Sequence, residues 1–120
     1  MIAKLSTQKD DLGNAVGALT NVMTKSKDPA MRQIARLRLS QVYLLSGDLV
    51  RAQELANSND VGGFESEYPE ALGDVFFAQH KYSEAAEAYA RALHALTPAS
   101  SSRALLSSKR NYAGSVGNNQ

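Results

Sequence analysis

Apolar side chains recur along this chain at intervals of three to four residues, which is the spacing of amphipathic helices. Between residues 29 and 46 they form one broad face, made of Ile34, Leu37, Leu39, Val42, Tyr43 and Leu45. Between residues 83 and 96 they form a stripe of small and large residues, made of Ala85, Ala88, Tyr89, Ala92 and Leu93. The pattern predicts an all-α fold of six to seven helices, at about 2–9, 11–25, 29–46, 48–57, 65–79, 83–96 and 99–112.

Helix boundaries are marked by residues that satisfy the unpaired backbone groups of a helix end. Asp28-Pro29 combines an N-cap acceptor with a proline at the first helical position, and Thr97-Pro98 repeats that combination. Gly47-Asp48 combines a C-terminal glycine with the cap of the next helix. We expect Ser83 to cap a helix whose first turn carries Glu84, a favourable charge at that end. Short turns of this kind predict antiparallel helical hairpins.

Two of the predicted hairpins repeat each other with an offset of 33 residues, from Ser40 to Gly73. Small residues at the aligned positions would let two helix axes approach closely, and rings would fill the space between hairpins. The predicted packing set is Leu39, Ser40, Tyr43 and Ala52 in one unit, and Leu72, Gly73, Phe76, Ala85, Tyr89 and Ala92 in the next. Because one hairpin cannot bury its apolar face alone, we expect the units to stack.

The segment Ala71–Pro98 resembles a nearly complete tetratricopeptide repeat. Leu72-Gly73, Phe76, Ala85, Tyr89 and Ala92 match that pattern, while Pro98 sits one place late and the usual early tryptophan is missing. The preceding unit is more degenerate, with Ser40 in place of glycine and Asn59 in place of the second alanine. The resemblance implies a helical-hairpin solenoid of about three hairpins and a terminal helix that acts as a protein-binding scaffold.

From about Ala3 to Ala113 the chain is also similar to the C-terminal part of the YfgM-like family, whose members are ancillary subunits of the SecYEG translocon in Gram-negative bacteria. The similarity is carried by Ile34–Ser40, Gly62–Phe64, Leu72–Asp74 and Ser108–Tyr112. Pro69 departs from that family, where an uninterrupted helix is expected. The similarity implies the periplasmic repeat domain of a longer, membrane-anchored protein, with a translocon subunit or a periplasmic chaperone as its partner.

Composition narrows the possible functions. Thirteen basic residues against 12 acidic ones give a net charge of +1, which provides no positive field for nucleic acid. No cysteine is present, which excludes disulfides, thiolate catalysis and cysteine-based zinc sites. No apolar run approaches the length of a membrane-spanning helix, so any anchor would lie outside this chain.

No constellation of residues indicates an enzyme, a metal site or a cofactor. His80 and His94 fall on different elements, and neither has a recognisable catalytic or ligating partner. Gly62-Gly63 lacks the residues of a phosphate-binding loop. We interpret the basic residues Arg32, Arg36, Arg38 and Arg51 as a solvated surface or as members of ion pairs within the protein.

The remaining candidate site is a groove lined by the first helix of each hairpin. Its predicted residues are Ile34, Leu37, Gln41, Leu44 and Leu45 in one unit and Glu67, Glu70, Asp74 and Phe77 in the next. The first set is mainly apolar and the second mainly acidic, which suits a peptide with an apolar stretch followed by basic residues. Two other interpretations stay open: the leucines are covered by the first or last helix, and the carboxylates form a solvated acidic face.

We therefore expect a non-enzymatic protein-interaction domain at residues 1–113, followed by a disordered tail at 114–120. The expected partner is a protein or peptide, without nucleic acid, cofactor or membrane insertion by this chain. The expected location is the periplasmic face of the bacterial inner membrane. Alternatives are a cytosolic adaptor and an assembly module in which the leucine face closes a homodimer.

Overall fold

The computed structural model describes the backbone of residues 2–58 and 61–118 and the side chains of that part from residue 11 onward. Six helices are present in the described residues: α1 (Ile2–Lys25), α2 (Pro29–Ser46), α3 (Leu49–Ala56), α4 (Glu67–Ala78), α5 (Tyr82–Ala95) and α6 (Arg103–Asn118). Each packs against its neighbour in the sequence, and α2 also contacts α4. The predicted all-α stack of helical hairpins is confirmed.

The ends of α2 and the start of α3 are fixed as the sequence predicts. The Asp28 carboxylate accepts a hydrogen bond of 2.9 Å from the Ala30 amide, directly before Pro29. Gly47 ends α2 in the left-handed region, with φ of 89°, which a residue without a Cβ adopts at no steric cost. Asp48 then accepts from the Arg51 amide and starts α3.

The prediction of two helices at 2–9 and 11–25 was wrong, because α1 runs without a break from Ile2 to Lys25. That segment contains no proline, and a helix continues through Asp10-Asp11 at small cost in propensity. The predicted loop at 57–63 contains residues 59 and 60, including the degenerate repeat position Asn59, which lie outside the described residues.

The starts of α4 and α5 also differ from the prediction. A turn precedes α4, and Pro69 lies in its first turn, where a missing amide N–H removes no intrahelical hydrogen bond. Helix α5 begins at Tyr82 with Lys81 as its N-cap residue, which makes no side-chain capping bond, so Ser83 lies inside the helix and does not occupy the predicted N-cap position. Pro69 is therefore compatible with a helix that starts after the turn.

The last helix begins later and ends later than the sequence suggests. Pro98 lies in a turn closed by a 3.1 Å bond from the Ser100 amide to the Thr97 carbonyl, so the Thr97-Pro98 prediction was wrong. Ser100 also accepts from the Ser102 amide, a local bond that competes with helix formation. At the other end, α6 is helical through Asn118, whereas a disordered tail was expected from Gly114; only 119 and 120 lie outside the described residues.

Two arginines of α2 bind carbonyl groups that helix ends leave unpaired. Arg32 donates to Ser26 after α1, at 2.7 Å. Arg36 donates to the carbonyls of Glu54 and Leu55 at the end of α3, at 3.1 and 2.8 Å. Cations at helix C-termini also interact favourably with the helix dipole. Arg32 and Arg36 thus bind backbone carbonyls, and for these two the sequence-based interpretation was wrong. It holds for Arg51, which forms an ion pair of 3.4 Å with Asp48, and for Arg38, which is exposed.

Side-chain hydrogen bonds join the two hairpins. The Tyr68 hydroxyl donates a hydrogen bond to the side-chain oxygen of Gln33 and so links α4 to α2. At the other end of α4, the Gln79 amide donates to the Gln53 side chain of α3 at 2.8 Å. The first bond holds α4 beside α2 and the second holds the end of α4 beside α3, so α2 and α4 share a concave face.

The core lies along α5, between α4 and α6. Its buried cluster consists of Ala85, Tyr89, Ala92, Leu93, Leu106 and Ala113, with Phe76, Phe77, Ala86 and Leu96 packed around it. The alanines of α5 keep its surface narrow, so helices on both sides approach it closely. This close packing stabilises the fold, because it removes the large apolar side chains of α4 and α6 from water.

Helices α4 and α5 approach each other closely at Gly73. A Cβ atom at this position would stand 2.5 Å from Cε1 of Tyr89, which is closer than side-chain atoms approach. In the preceding hairpin the equivalent residues are Ser40 and Ala56, and the buried Ser40 hydroxyl donates to the Ala52 carbonyl at 2.8 Å. The hairpin that has the smallest residue, Gly73, in its first helix has the large Tyr89 in its second. The hairpin that has the larger Ser40 has the small Ala56 at the position equivalent to Tyr89.

We predict that Gly73→Ala lowers the free energy of unfolding by about 1–3 kcal/mol, because the methyl group overlaps the Tyr89 ring. In a Tyr89→Leu background the same alanine should cost at least about 0.5 kcal/mol less, since leucine lacks Cε1 and Cζ. Urea unfolding of the four proteins of this cycle measures both values. Gly114→Ala is the matched control, because its Cβ would meet open space and alanine favours helix. An equal cost of Gly73→Ala in both backgrounds would contradict the steric explanation.

Candidate functional site

A concave pocket of about 310 Å³ lies between α2 and α4. Its lining consists of Leu37, Ser40, Gln41, Leu44 and Leu45 from α2, Glu67, Glu70, Ala71 and Asp74 from α4, and Lys109 from α6. One wall is mainly apolar and the other is acidic. We call this the concave pocket.

The two walls differ because equivalent positions of the two hairpins carry different residues. Leu37 and Glu70 are related by the 33-residue repeat, and so are Gln41 and Asp74. Since α2 and α4 are neighbouring first helices of their hairpins, these positions face the same space. The divergence of the repeats thus gives the pocket its two chemistries.

The structure brings most of the predicted groove residues together and leaves two outside. Leu37, Gln41, Leu44, Leu45, Glu67, Glu70 and Asp74 line the concave pocket. Ile34 is half-buried on α2 and lies outside this lining. Phe77 also lies outside it, because its ring packs 5.0 Å from the Tyr82 ring and 5.7 Å from the Tyr112 ring.

The apolar wall remains accessible in the described part of the chain. The Leu45 side chain is 75% exposed, and Leu37 and Leu44 are partly exposed. No described side chain of α1 lines the pocket, and α6 contributes only Lys109. The last helix therefore leaves the leucines open and instead covers Phe77.

The acidic wall is bridged by a lysine that the sequence analysis did not assign to the site. Lys109 Nζ lies 2.9 Å from Glu70 Oε2 and 3.2 Å from Asp74 Oδ1. The Tyr89 hydroxyl donates to the same Asp74 oxygen at 2.6 Å, and Lys109 Nζ lies 5.7 Å from the centre of the Tyr89 ring. Two carboxylates, an ammonium and a phenol thus form one network, which we call the Lys109 network.

A signal in the sequence could have identified Lys109. Leu106 and Ala113, three residues before and four residues after it, are both buried in the core. Residues at these spacings share one helix face, so Lys109 must lie at the inner side of α6. Arg110 is exposed and hydrogen-bonds the neighbouring Asn111 side chain.

The network shifts the pKa values of two of its members. Burial raises the pKa of Tyr89, and its hydrogen bond to Asp74 raises it further. Burial by itself lowers the pKa of Lys109, but its bonds and its attraction to Glu70 and Asp74 outweigh burial, so the pKa is raised overall. Both groups are therefore held protonated in the folded protein.

The site has the character of a binding surface. Among the described side chains, at residues 11–58 and 61–118, no group of three or more His, Asp or Glu could hold a metal ion. The imidazole Nδ1 of His80 lies 2.7 Å from the Tyr82 hydroxyl, in a turn where His80 has φ of 64°. His94 lies on the exposed side of α5. The concave pocket thus offers an apolar wall and an acidic wall on one solvent-accessible face.

Comparison with protein families gives a match over nearly the whole chain. The family described as a tetratricopeptide repeat-like domain matches residues 1–115. No curated protein and no solved structure matches this chain. None of the helices in the described part of the chain is both long enough and apolar enough to cross a membrane.

The Lys109 network predicts a loss of stability at alkaline pH. Tyr89 and Lys109 have ordinary pKa values of 10.0 and 10.5, and both are raised by folding. Groups with raised pKa values contribute stability that is complete below those values and is lost as the pH rises above them. We expect Lys109→Met to lower the free energy of unfolding by about 1 kcal/mol at neutral pH. The expected loss is small because the network is partly exposed to solvent.

Urea unfolding between neutral pH and pH about 11.5 tests this expectation. The difference between wild type and Lys109→Met should shrink above pH about 10.5 as the ammonium loses its proton in the unfolded chain and then in the folded chain. Lys27→Met is the matched control, because Lys27 is exposed and belongs to no described ion pair. A difference that stays constant across this pH range would show that Lys109 contributes through packing alone.

Proposed function

The chain belongs to the tetratricopeptide repeat-like domain family, whose helical arrays are typically non-catalytic scaffolds for protein–protein interaction, and from this premise we propose that the concave pocket binds a segment of a partner protein. The bound segment combines apolar side chains with a basic residue. The observation that carries the proposal is an open apolar wall placed directly opposite an acidic one.

The apolar wall supplies the affinity. Leu45 is 75% exposed, and Leu44 and Leu37 are partly exposed beside it. Removing one leucine-sized side chain from water contributes about 1.5–3 kcal/mol. A partner that places one or two apolar side chains between α2 and α4 would gain this energy and would cover the leucines.

The acidic wall supplies orientation. Glu67 is exposed at the start of α4 and lines the same pocket as Leu45. A basic side chain of the partner would be attracted to it, and complementary charge favours one register of binding over others. Fully extended and helical segments both fit an open pocket of this shape.

We predict that Leu45→Asp weakens binding of a partner peptide at least about tenfold and leaves the fold intact. Leu45 is exposed, so its replacement should change the free energy of unfolding by less than about 0.5 kcal/mol. Peptides enriched from a random decapeptide display library on the wild-type domain serve as probes, with affinities measured by titration calorimetry. Val50→Asp is the matched control, because Val50 is 68% exposed but lies outside the pocket.

Equal loss of binding in Leu45→Asp and Val50→Asp would contradict the pocket, as would no loss in either. Leu45→Asp is preferable to a substitution of Phe77, whose ring packs against Tyr82, Tyr112 and the core. A charged residue there would damage the fold and the test together.

We further propose that this domain acts at the periplasmic face of the bacterial inner membrane, beside the translocon. The support is the similarity to the YfgM-like family, carried by Ile34–Ser40, Leu72–Asp74 and Ser108–Tyr112. The partner would then be a translocon subunit or a periplasmic chaperone. A cytosolic adaptor and a homodimer closed through the leucine wall are the alternatives.

Protease accessibility of the full-length natural protein in intact cells, spheroplasts and separated membranes tests the location. We expect the protein to stay with the membranes and to be digested only after the outer barrier is opened. Protection in spheroplasts together with a soluble fraction would favour the cytosolic adaptor. Sedimentation of the domain at increasing concentration examines the homodimer, which a strictly monomeric protein would exclude.

A further inference from the structure

The acidic wall of the concave pocket is only partly available to a partner. Three carboxylates line it, those of Glu67, Glu70 and Asp74, and Lys109 is the one cation in the pocket lining. Lys109 pairs with Glu70 and Asp74 from within the protein. The negative charge that faces solvent is therefore smaller than the number of carboxylates suggests.

The Lys109 network is anchored to the core. Asp74 accepts a 2.6 Å bond from the hydroxyl of Tyr89, whose ring is 3% exposed. The Lys109 side chain is 30% exposed, and burial of Leu106 and Ala113 keeps its helix face turned inward. Moving the Lys109 ammonium away from the two carboxylates and the Tyr89 ring would cost free energy, because it would break two ion pairs and a cation–π contact.

Glu67 differs from the other two carboxylates. It is exposed, lies one helical turn before Glu70, and forms no ion pair or hydrogen bond among the described residues. It therefore keeps its charge uncompensated at one edge of the pocket. An incoming cation is attracted to Glu67. Further along α4, the Lys109 ammonium of α6 already donates to three of the four carboxylate oxygens of Glu70 and Asp74 and offsets one of their two charges, so a second cation gains less there.

We infer that Lys109 is a specificity-determining residue of the concave pocket: it limits the bound segment to one basic side chain, placed at Glu67, and requires neutral side chains beside Lys109. This inference rests on the proposed function, since it specifies the partner of the same pocket. The occupant is a peptide segment of a partner protein that carries apolar residues and a single lysine or arginine.

Removing the ammonium should change the preference of the pocket and preserve its shape. Lys109→Met keeps an unbranched side chain of similar length and leaves Glu70 and Asp74 without a cation. A second basic residue of the partner could then pair with them. Lys109→Arg is the matched control, because it keeps the positive charge.

The test is selection of a random decapeptide display library on wild type, Lys109→Met, Lys109→Arg and Glu67→Gln, counting the lysines and arginines in enriched peptides. We expect one basic residue with wild type and Lys109→Arg, two with Lys109→Met, and no enrichment of basic residues with Glu67→Gln. A peptide with two basic residues should bind Lys109→Met about tenfold more tightly than wild type at low salt. Thermal melting establishes that each variant is folded.

The outcomes separate this inference from the function on which it rests. If enrichment depends on Leu45 but Lys109→Met still selects one basic residue, the role of Lys109 is overturned and the pocket stands. If no enriched peptide depends on Leu45, the proposed function fails and the inference fails with it. If Lys109→Met does not fold, the Glu67→Gln selection decides: peptides that keep their basic residue would overturn the placement at Glu67.

Discussion

The Tyr89 ring connects the packing of the domain to the chemistry of its concave face. Its ring lies so close to α4 that a Cβ atom at Gly73 would stand 2.5 Å from it, so glycine at this position allows α4 and α5 to pack closely. Its hydroxyl emerges from the core and binds Asp74. Asp74 in turn binds Lys109, so one side chain positions both the helix pair and the charges of the pocket. A change in the core at this position would therefore alter the binding surface.

Helix ends provide the second set of contacts that hold the array together. Arg32 and Arg36 bind carbonyls after α1 and at the end of α3, and Arg103 binds those of Leu93 and Leu96 at the end of α5, at 3.4 and 3.3 Å. These bonds satisfy backbone carbonyls that would otherwise bind water. They also place a positive charge at the C-terminal end of a helix, where the helix dipole favours it. An array of short helices has many ends, so bonds from arginine to the last carbonyls of a helix recur. Arginines that the sequence suggests are solvated therefore help to stabilise the fold.

The sequence predicted the elements better than it predicted their contacts. Periodicity and the Gly47-Asp48 signal identify helices because they depend on neighbours in the chain. Repetition with an offset of 33 residues identifies Gly73 as a close approach and places Leu45 and Glu67 on one face. Lys109 was missed, since its partners lie 39 and 35 residues away on α4. The Thr97-Pro98 signal failed because Ser100 forms local bonds, donating to the Thr97 carbonyl and accepting from the Ser102 amide, that hold the segment as a turn.

The two chemistries of this pocket arise from positions at which the two repeats disagree. Where both hairpins keep the same kind of residue, as at Ala52 and Ala85, the residue serves packing that every unit needs. Leu37 and Glu70 are a pair that differs, and both residues face the concave space, where packing makes no common demand. A uniform array would present one chemistry along its whole groove, and any apolar or any basic segment would fit. Divergence of the exposed positions, on helices held at fixed spacing by the conserved ones, gives a surface that can distinguish the order of residues in its partner.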